Sequence, residues 1–363
     1  MAAVGLIWSA RRSEGRVRIE AGVEMDELVS IIIPAYNAER WIGDTLRSVL
    51  SQTWARKEII IVDDGSIDDT LAVTKTFESR TVKVVAQQNK GACAARNEGL
   101  RHAQGSYIQW LDADDLLAPD KISEQMEAAT NGQTNLNILS SSFALFYWRT
   151  AKAKFCPTPL WQDLTPIEYL VRHLSEGYWM NPAVWLVSRR LTEKAGPWNE
   201  KLYLNQDGEY FCRVVSLSEH IKFVRESRSY YRMSSFNQLS RAKSERASES
   251  LLLSLRLCIQ YLRALEDSER TRMASLSCLQ LYMGHFYPDK GKLLEAMNAL
   301  ASELGGELTA PLVDSKIRML RGLFGWNAAY AATTAYRKLR LATAVKWDET
   351  LYRIASLSAK GRN

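Results

Sequence analysis

Two apolar runs constrain this chain more than anything else in it. Val29-Ser-Ile-Ile-Ile-Pro-Ala-Tyr-Asn37 is unbroken and largely β-branched up to Pro34, and Glu58-Ile-Ile-Ile-Val62 repeats the pattern. A strand with one wet face alternates, whereas a run without alternation needs cover on both faces, as in a parallel sheet flanked by helices. Val82-Lys-Val-Val-Ala86 and Tyr107-Ile-Gln-Trp-Leu111 supply two more strands. Helical patterns lie between them. Trp41, Ile42, Leu46, Val49 and Leu50 share one stripe, Asp68-Asp69-Thr70 opens a second helix, and Ala92 to Ala103 reads as a third. Strand–helix alternation repeated three times predicts a doubly wound, mainly parallel α/β sheet of the Rossmann-like kind, whose ligands bind at the carboxyl ends of the strands.

Two acidic clusters fall at those ends. Asp63-Asp64-Gly65-Ser66 stops the second strand, and Asp112-Ala113-Asp114-Asp115 stops the fourth. An isolated acidic turn is ordinarily a solvated helix cap, but two on one sheet rim invite something positive. Oxygen-only ligands suit a hard divalent cation, Mg²⁺ or Mn²⁺, that also holds phosphate oxygens. Neither a Walker phosphate loop nor GxGxxG is present, which argues against a P-loop NTPase or a dinucleotide oxidoreductase. The five Cys are scattered at 93, 156, 212, 258 and 278 without a CxxC pair, which argues against zinc and for a reducing compartment. No uncharged, strongly apolar run reaches transmembrane length. Of the net charge of +6, residues 315–363 hold +8, with ten Lys/Arg against Asp348 and Glu349, and the rest of the chain holds −2. A basic end on a near-neutral body suggests an anionic partner surface.

Four motifs in succession are specific. Val-Ser-Ile-Ile-Ile-Pro-Ala-Tyr-Asn, Ile-Val-Asp-Asp-Gly-Ser-x-Asp-Asp-Thr, Asn-x-Gly-x-x-x-Ala-Arg-Asn-x-Gly and Gly-x-Tyr-Ile-x-x-Leu-Asp-x-Asp-Asp cover about residues 28 to 122. In order and spacing they resemble a family 2 glycosyltransferase with the inverting GT-A fold. The resemblance implies a nucleotide-sugar donor, UDP-linked, and an acceptor hydroxyl on a glycan or lipid-linked saccharide, in cell-envelope polysaccharide biosynthesis. It implies that Asp63 or Asp64 accepts a hydrogen bond from the base, that Pro34 and Tyr36 line the base pocket, and that Arg96 contacts the donor. Asp112-x-Asp114 resembles the family's DxD, with Asp112 nearer the ribose or sugar and Asp114 on the metal. Asp115 is expected to support or cap the next helix.

Displacement with inversion also needs a base on the acceptor side. Leu204-Asn205-Gln206-Asp207-Gly208-Glu209 resembles the acceptor-side region, where a Glu-Asp pair opens a helix. Here Gln206 stands at the Glu position and Asp207 keeps the second place, so Asp207 is the expected base and Glu209 the alternative. Trp179, Trp198 and the stretch from Met180 to Trp185 could form an acceptor floor or ordinary core. Arg232, in Tyr-Tyr-Arg-Met, resembles a loop residue that pairs with the diphosphate, but Met233 follows it where many members have a metal-binding His. His173 and His220 do not fit a metal set by spacing.

These readings divide the chain into a disordered lead over 1–25, a GT-A domain over 26–240 and a helical, basic extension over 245–363. Helices are expected from Leu251 to Leu265 and from Thr271 to Phe286. The basic, aromatic segment from Ser315 to Leu341 suits either peripheral membrane contact or packing on the catalytic domain. The expected location is the cytoplasm, at the inner face of the membrane, with no nucleic-acid partner. The rival to an enzyme is a catalytically silent nucleotide-sugar-binding or scaffold protein.

Overall fold

The computed structural model describes residues 27–130, 136–233, 244–286, 291–310, 335 and 339–354. The proposed lead over 1–25 and most of the basic segment 315–341 lie outside the described residues. Four strands, β1 (Val29–Ala35), β2 (Lys57–Asp63), β3 (Val82–Ala86) and β4 (Tyr107–Trp110), alternate with three helices, α1 (Ile42–Leu50), α2 (Thr70–Lys75) and α3 (Ala92–His102). Then come β5 (Leu116–Leu117), α4 (Lys121–Thr130), β6 (Ile138–Phe146), β7 (Lys154–Phe155), α5 (Pro166–Glu176), β8 (Leu186–Ser188), α6 (Arg189–Ala195), α7 (Gln206–Leu217) and β9 (Ile221–Arg232). Helices α8 (Glu245–Leu265), α9 (Glu269–Phe286) and α10 (Gly291–Glu303) follow, and a last helix, α11, spans 339–354.

The sheet order is β3-β2-β1-β4-β8-β6-β9-β5, with β7 on β6. The first four strands pair in parallel, as their unalternating sequences require: Ile31, Ile32, Ile33, Ile59, Ile60 and Ile61 are all buried. Beyond β4 the sheet is mixed. β8 runs antiparallel to both β4 and β6, β9 runs parallel to β6, and β5 runs antiparallel to β9. The sheet is thus mainly parallel, with its short antiparallel pairings confined to the half beyond β4. Register matters for function. Ala35 lies level with Asp63, Asp63 with Ala86, and Ile32 with Trp110, so the ends of all four parallel strands share one rim.

The C-terminal helices are not a separate layer. Leu251, Leu255, Ile259 and Leu262 of α8, with Cys278, Leu279 and Phe286 of α9, bury into the same core as Leu170 and Leu174 of α5 and Val214 and Val215 of α7. Among the described residues no helix is long and apolar enough to cross a membrane.

One close approach fixes α3 on the sheet. A Cβ placed on Gly99 would sit 2.4 Å from Ile32 Cγ2 and 3.4 Å from Val62 Cγ2, so only a missing side chain lets the helix lie this near β1 and β2. Gly99→Ala should lower the unfolding free energy by about 1–3 kcal/mol, the usual cost of overpacking a tight core, read as a lower midpoint in urea with an unchanged slope.

Candidate active site at the sheet rim

A cavity of about 1120 Å³ opens at the carboxyl ends of β1, β2 and β4 and continues to side chains of α5, α7, α8 and α9. Seven of the nine residues expected from sequence line it: Pro34, Tyr36, Asp64, Arg96, Asp112, Asp114 and Asp207. Asp63 and Arg232 do not.

The two aspartates after β2 divide their work. Asp63 is buried, and its Oδ2 accepts the Ser66 N–H at 3.2 Å, which closes the turn. Asp64 reaches across to the loop before α3. Its Oδ1 accepts from Gln87 Nε2 (2.6 Å) and Lys90 N (2.9 Å), and its Oδ2 from Gly91 N (2.8 Å). Asp64 thus faces the cavity and also holds the Asn89–Gly91 loop against the rim. The turn into α2 is closed by Asp68, whose Oδ1 accepts the Thr70 N–H at 3.0 Å, and not by Asp63 or Asp64. Tyr36 is 50% exposed, an aromatic face open to the cavity.

Arg96 is the buried cation of the site. It is 4% exposed, donates from Nη2 to Asp112 Oδ1 at 2.7 Å, and lies 4.4 Å from the centroid of Trp198. Trp198 stacks in turn on Tyr210, with centroids 4.0 Å apart and planes at 5°. Nε and Nη1 of Arg96 are buried and have no hydrogen-bond partner among the described residues. A buried guanidinium with donors left over is a ready anion site. This arrangement also makes Trp198, and Trp185 with it, core and not acceptor floor; of the tryptophans proposed for that floor, Trp179 is the one exposed, at 43%, and it lines the cavity.

On the β4 tip the carboxylates crowd. Burial and the charge of Asp112 raise the Asp114 carboxyl to about 6, against the pull of Arg232. Burial raises Asp115 well above the usual aspartate range. Asp115 does not cap α4: its Oδ1 accepts the backbone N–H of Arg232 at 2.9 Å and ties the rim to the end of β9. Arg232 is 1% exposed. Its Nε donates to the Asp114 carbonyl at 2.7 Å and its Nη1 to the Tyr147 carbonyl at 3.2 Å, with Trp41 and Phe146 on its faces. Burial holds Arg232 behind the Asp114 turn, which it positions, and it does not line the cavity.

Asp207 sits in the first turn of α7. Burial and repulsion from Asp112 push its carboxyl up, partly offset by Arg96 and by N–H groups at the helix start. Glu209, the alternative base, is 1% exposed and spoken for, with Oε1 accepting from Arg213 Nε (2.8 Å) and from the Tyr261 hydroxyl (2.7 Å). Gln206 Oε1 accepts from Cys93 Sγ at 2.8 Å, joining the starts of α3 and α7. Burial pushes the Cys93 thiol up to about 12, so it stays a donor.

Several residues here escaped the sequence reading. The Ser250 hydroxyl takes the N–H groups of Tyr203 (2.7 Å) and Leu204 (2.8 Å), and Ser254 bonds both the side chain (2.8 Å) and the carbonyl (2.9 Å) of Asn205. These two serines, one turn apart on an apolar helix, were the legible hint. They set the loop that delivers Asp207, in which Asn205 takes φ 56°. Asn97 likewise holds Trp198 through its Oδ1 (2.8 Å) and Nδ2 (3.0 Å). Trp41, Arg246, Tyr282 and His285 complete the cavity wall.

Among the described residues no three His, Cys, Asp or Glu side chains converge on a metal position. The donor set at the rim is the pair Asp112 and Asp114. Their mutual repulsion is what a hard cation would relieve, with phosphate oxygens supplying further ligands.

Residues 30–153 match the profile of Glycosyl transferase family 2. That segment is a family 2 glycosyltransferase domain. The domain is similar to the putative teichuronic acid biosynthesis glycosyltransferase TuaG of Bacillus subtilis, 45% identical over 103 residues, which are 28% of this chain and 41% of that protein. It is also similar to the UDP-Glc:alpha-D-GlcNAc-diphosphoundecaprenol beta-1,3-glucosyltransferase WfgD of Escherichia coli, 34% identical over 131 residues, 36% of this chain and 51% of the relative. The chain thus spans about half or less of the length of these curated relatives. Residues 1–349 of S. aureus TarS, solved with UDP-GlcNAc, superpose with a TM-score of 0.62 at 18% identity, covering 86% of this chain and 92% of the other. The glycosyltransferase domain has the GT-A fold, with helices following it.

Native Asp114 holds its proton up to about 6, above the unfolded value of 3.8. Its contribution to stability therefore falls as pH rises through that window. In metal-free buffer Asp114→Asn should gain about 1–2 kcal/mol at pH 7 relative to wild type, and its urea midpoint should vary less between pH 4 and 6.

Proposed function

We propose that this chain is an inverting glycosyltransferase that moves a sugar from a nucleotide-diphosphate donor, UDP-linked, to a hydroxyl of a glycan or lipid-linked saccharide. The observation that carries the proposal is Asp207, a carboxylate of raised proton affinity that shares one cavity with the Arg96–Asp112 pair and Asp114. Donor and acceptor groups thus meet in one space though they come from different segments.

In this reading Tyr36 and Pro34 bound the base, and Asp64 accepts from it through the lone pairs its loop leaves free. Arg96 offers its two unpartnered donors to the diphosphate. Asp112 faces the ribose or sugar. Mg²⁺ or Mn²⁺ held by Asp114 and Asp112 would neutralise charge gathering on the departing diphosphate. Asp207 takes the proton of the acceptor hydroxyl as that oxygen bonds to the anomeric carbon. Arg232 and Asp115 keep the Asp114 turn in place. Trp179 offers an exposed ring for an acceptor sugar. The printed activity of WfgD, on a UDP-sugar and a lipid-linked GlcNAc, supports this substrate class, and the free cysteines support a reducing site of action.

One observation favours the rival reading, a nucleotide-sugar-binding module without turnover: Gln206 stands where the family commonly has Glu, and its amide oxygen is engaged by Cys93. Donor hydrolysis and transfer decide between the two. With divalent cation, turnover should appear, vanish with chelator, and fall by about 10²–10⁴ in Asp207→Asn, the usual worth of a general base. Glu209→Gln should keep its turnover and lose thermal stability instead. UDP binding without turnover on any acceptor pool would leave the silent module. Because Asp207 binds its proton more tightly than an ordinary aspartate, the acidic limb of kcat/KM should lie above the usual aspartate range and should disappear in Asp207→Asn.

A further inference from the structure

Helix α11 has two unlike faces. Its inner face is fastened to the catalytic domain. Val345 and Asp348 are buried, Tyr352 lies 5.6 Å from Trp148, and Glu349 pairs with Arg40. Asp348 is tied three times, accepting from Trp148 N (2.9 Å), Arg149 N (3.2 Å) and Arg149 Nε (2.7 Å), which holds its carboxyl below the usual aspartate range. Both acidic residues of the helix are therefore consumed by the seat or by its own Arg353.

The outer face is left with apolar groups and cations. Leu339, Trp347 and Ile354 are 66%, 67% and 55% exposed, and they recur about every two turns, which aligns them in one stripe. At 100° per residue, Lys346 and Arg353 fall on one flank of that stripe and Arg340 on the other. All three cations are exposed, and the rest of the face is Thr343, Ala344 and Thr350. A stripe of Trp, Leu and Ile with Lys346 on one flank and Arg340 on the other, Arg353 being paired with Glu349, is complementary to an anionic lipid headgroup layer with acyl chains beneath it. A protein partner would more commonly meet a mixed-charge rim.

We infer that the outer face of α11 is a docking surface for an anionic lipid bilayer, with Trp347, Leu339 and Ile354 entering the interface and Arg340 and Lys346 meeting headgroups. The seat gives the contact a consequence. Trp41, which packs on Trp148 at 4.4 Å, also lines the cavity, so lipid bound at α11 holds the cavity at a fixed orientation to the membrane. The inference does not depend on transfer chemistry.

The test is sedimentation of the full chain with vesicles of phosphatidylglycerol and phosphatidylcholine, against vesicles of phosphatidylcholine alone. Wild type should pellet with the anionic vesicles and be largely released at about 0.5 M salt, where screening is short-ranged. Trp347→Ser should bind about tenfold more weakly and Lys346→Gln about fivefold, with melting temperature and vesicle-free donor hydrolysis unchanged. Undiminished binding by Trp347→Ser would overturn the inference and assign the affinity to the basic segment elsewhere. Loss of self-association in Trp347→Ser, with wild type ignoring vesicles, would overturn it in favour of a second copy of the chain.

Discussion

Four carboxylates crowd one end of this sheet, and two buried guanidinium groups let them stay there. Asp112, Asp114 and Asp115 follow β4 within four positions, and Asp207 arrives from α7 close enough to feel Asp112. Like charges at such range oppose a compact structure. Arg96 answers by pairing with Asp112, and Arg232 by gripping the backbone beneath Asp114 and the ring of Trp41. The two arginines differ in what remains. Arg96 keeps unpartnered donors at the cavity and suits an incoming anion; Arg232 is spent on architecture. Burial first, and the charge of Asp112 second, raise the carboxyls of Asp114 and Asp207, and a cation at the rim would act against both effects.

The cavity has two walls of different origin. One wall belongs to the segment 30–153 that matches the family. The facing wall comes from α5, α7, α8 and α9, and its reach extends to Tyr282 and His285. The walls meet at a few polar contacts: Cys93 on Gln206, Asn97 on Trp198, and Ser250 and Ser254 on the loop before α7. Asp207 is thus placed by a helix that follows the sheet in sequence, and a boundary drawn at 240 would separate the expected base from the serines that aim its loop.

Legibility followed the physics of each element. β1 and β2 could be read because burial on both faces leaves no alternation, and the edge strand β3, only partly buried, also appears at the predicted residues. The acidic tips could be read because strand ends were known once strands were. The second half of the sheet could not: β6 buries Ser140, Ser141 and Ser142, polar residues that blur the strand pattern, and its pairing partners β8 and β9 lie far along the chain. Trp198, open between floor and core, and Arg232, expected on the diphosphate, were hard to place for a common reason. An aromatic or an arginine beside a motif looks available to a ligand, and only packing shows that Trp198 is stacked under Arg96 and that Arg232 is sealed by Trp41 and Phe146. Glu209 was set aside by a tyrosine from α8, a contact no local pattern announces.

The pairing of Arg40 with Glu349 spans 309 positions of the chain. At a synthesis rate of about 5–20 residues per second, roughly 15–60 s separate the emergence of the two partners. Once residue 148 has emerged, the β1–β4 sheet has all of its own strands, yet Trp41 and Trp148 still lack the helix that packs on them. The cover of Trp41, which lines the cavity, is therefore finished late in biosynthesis.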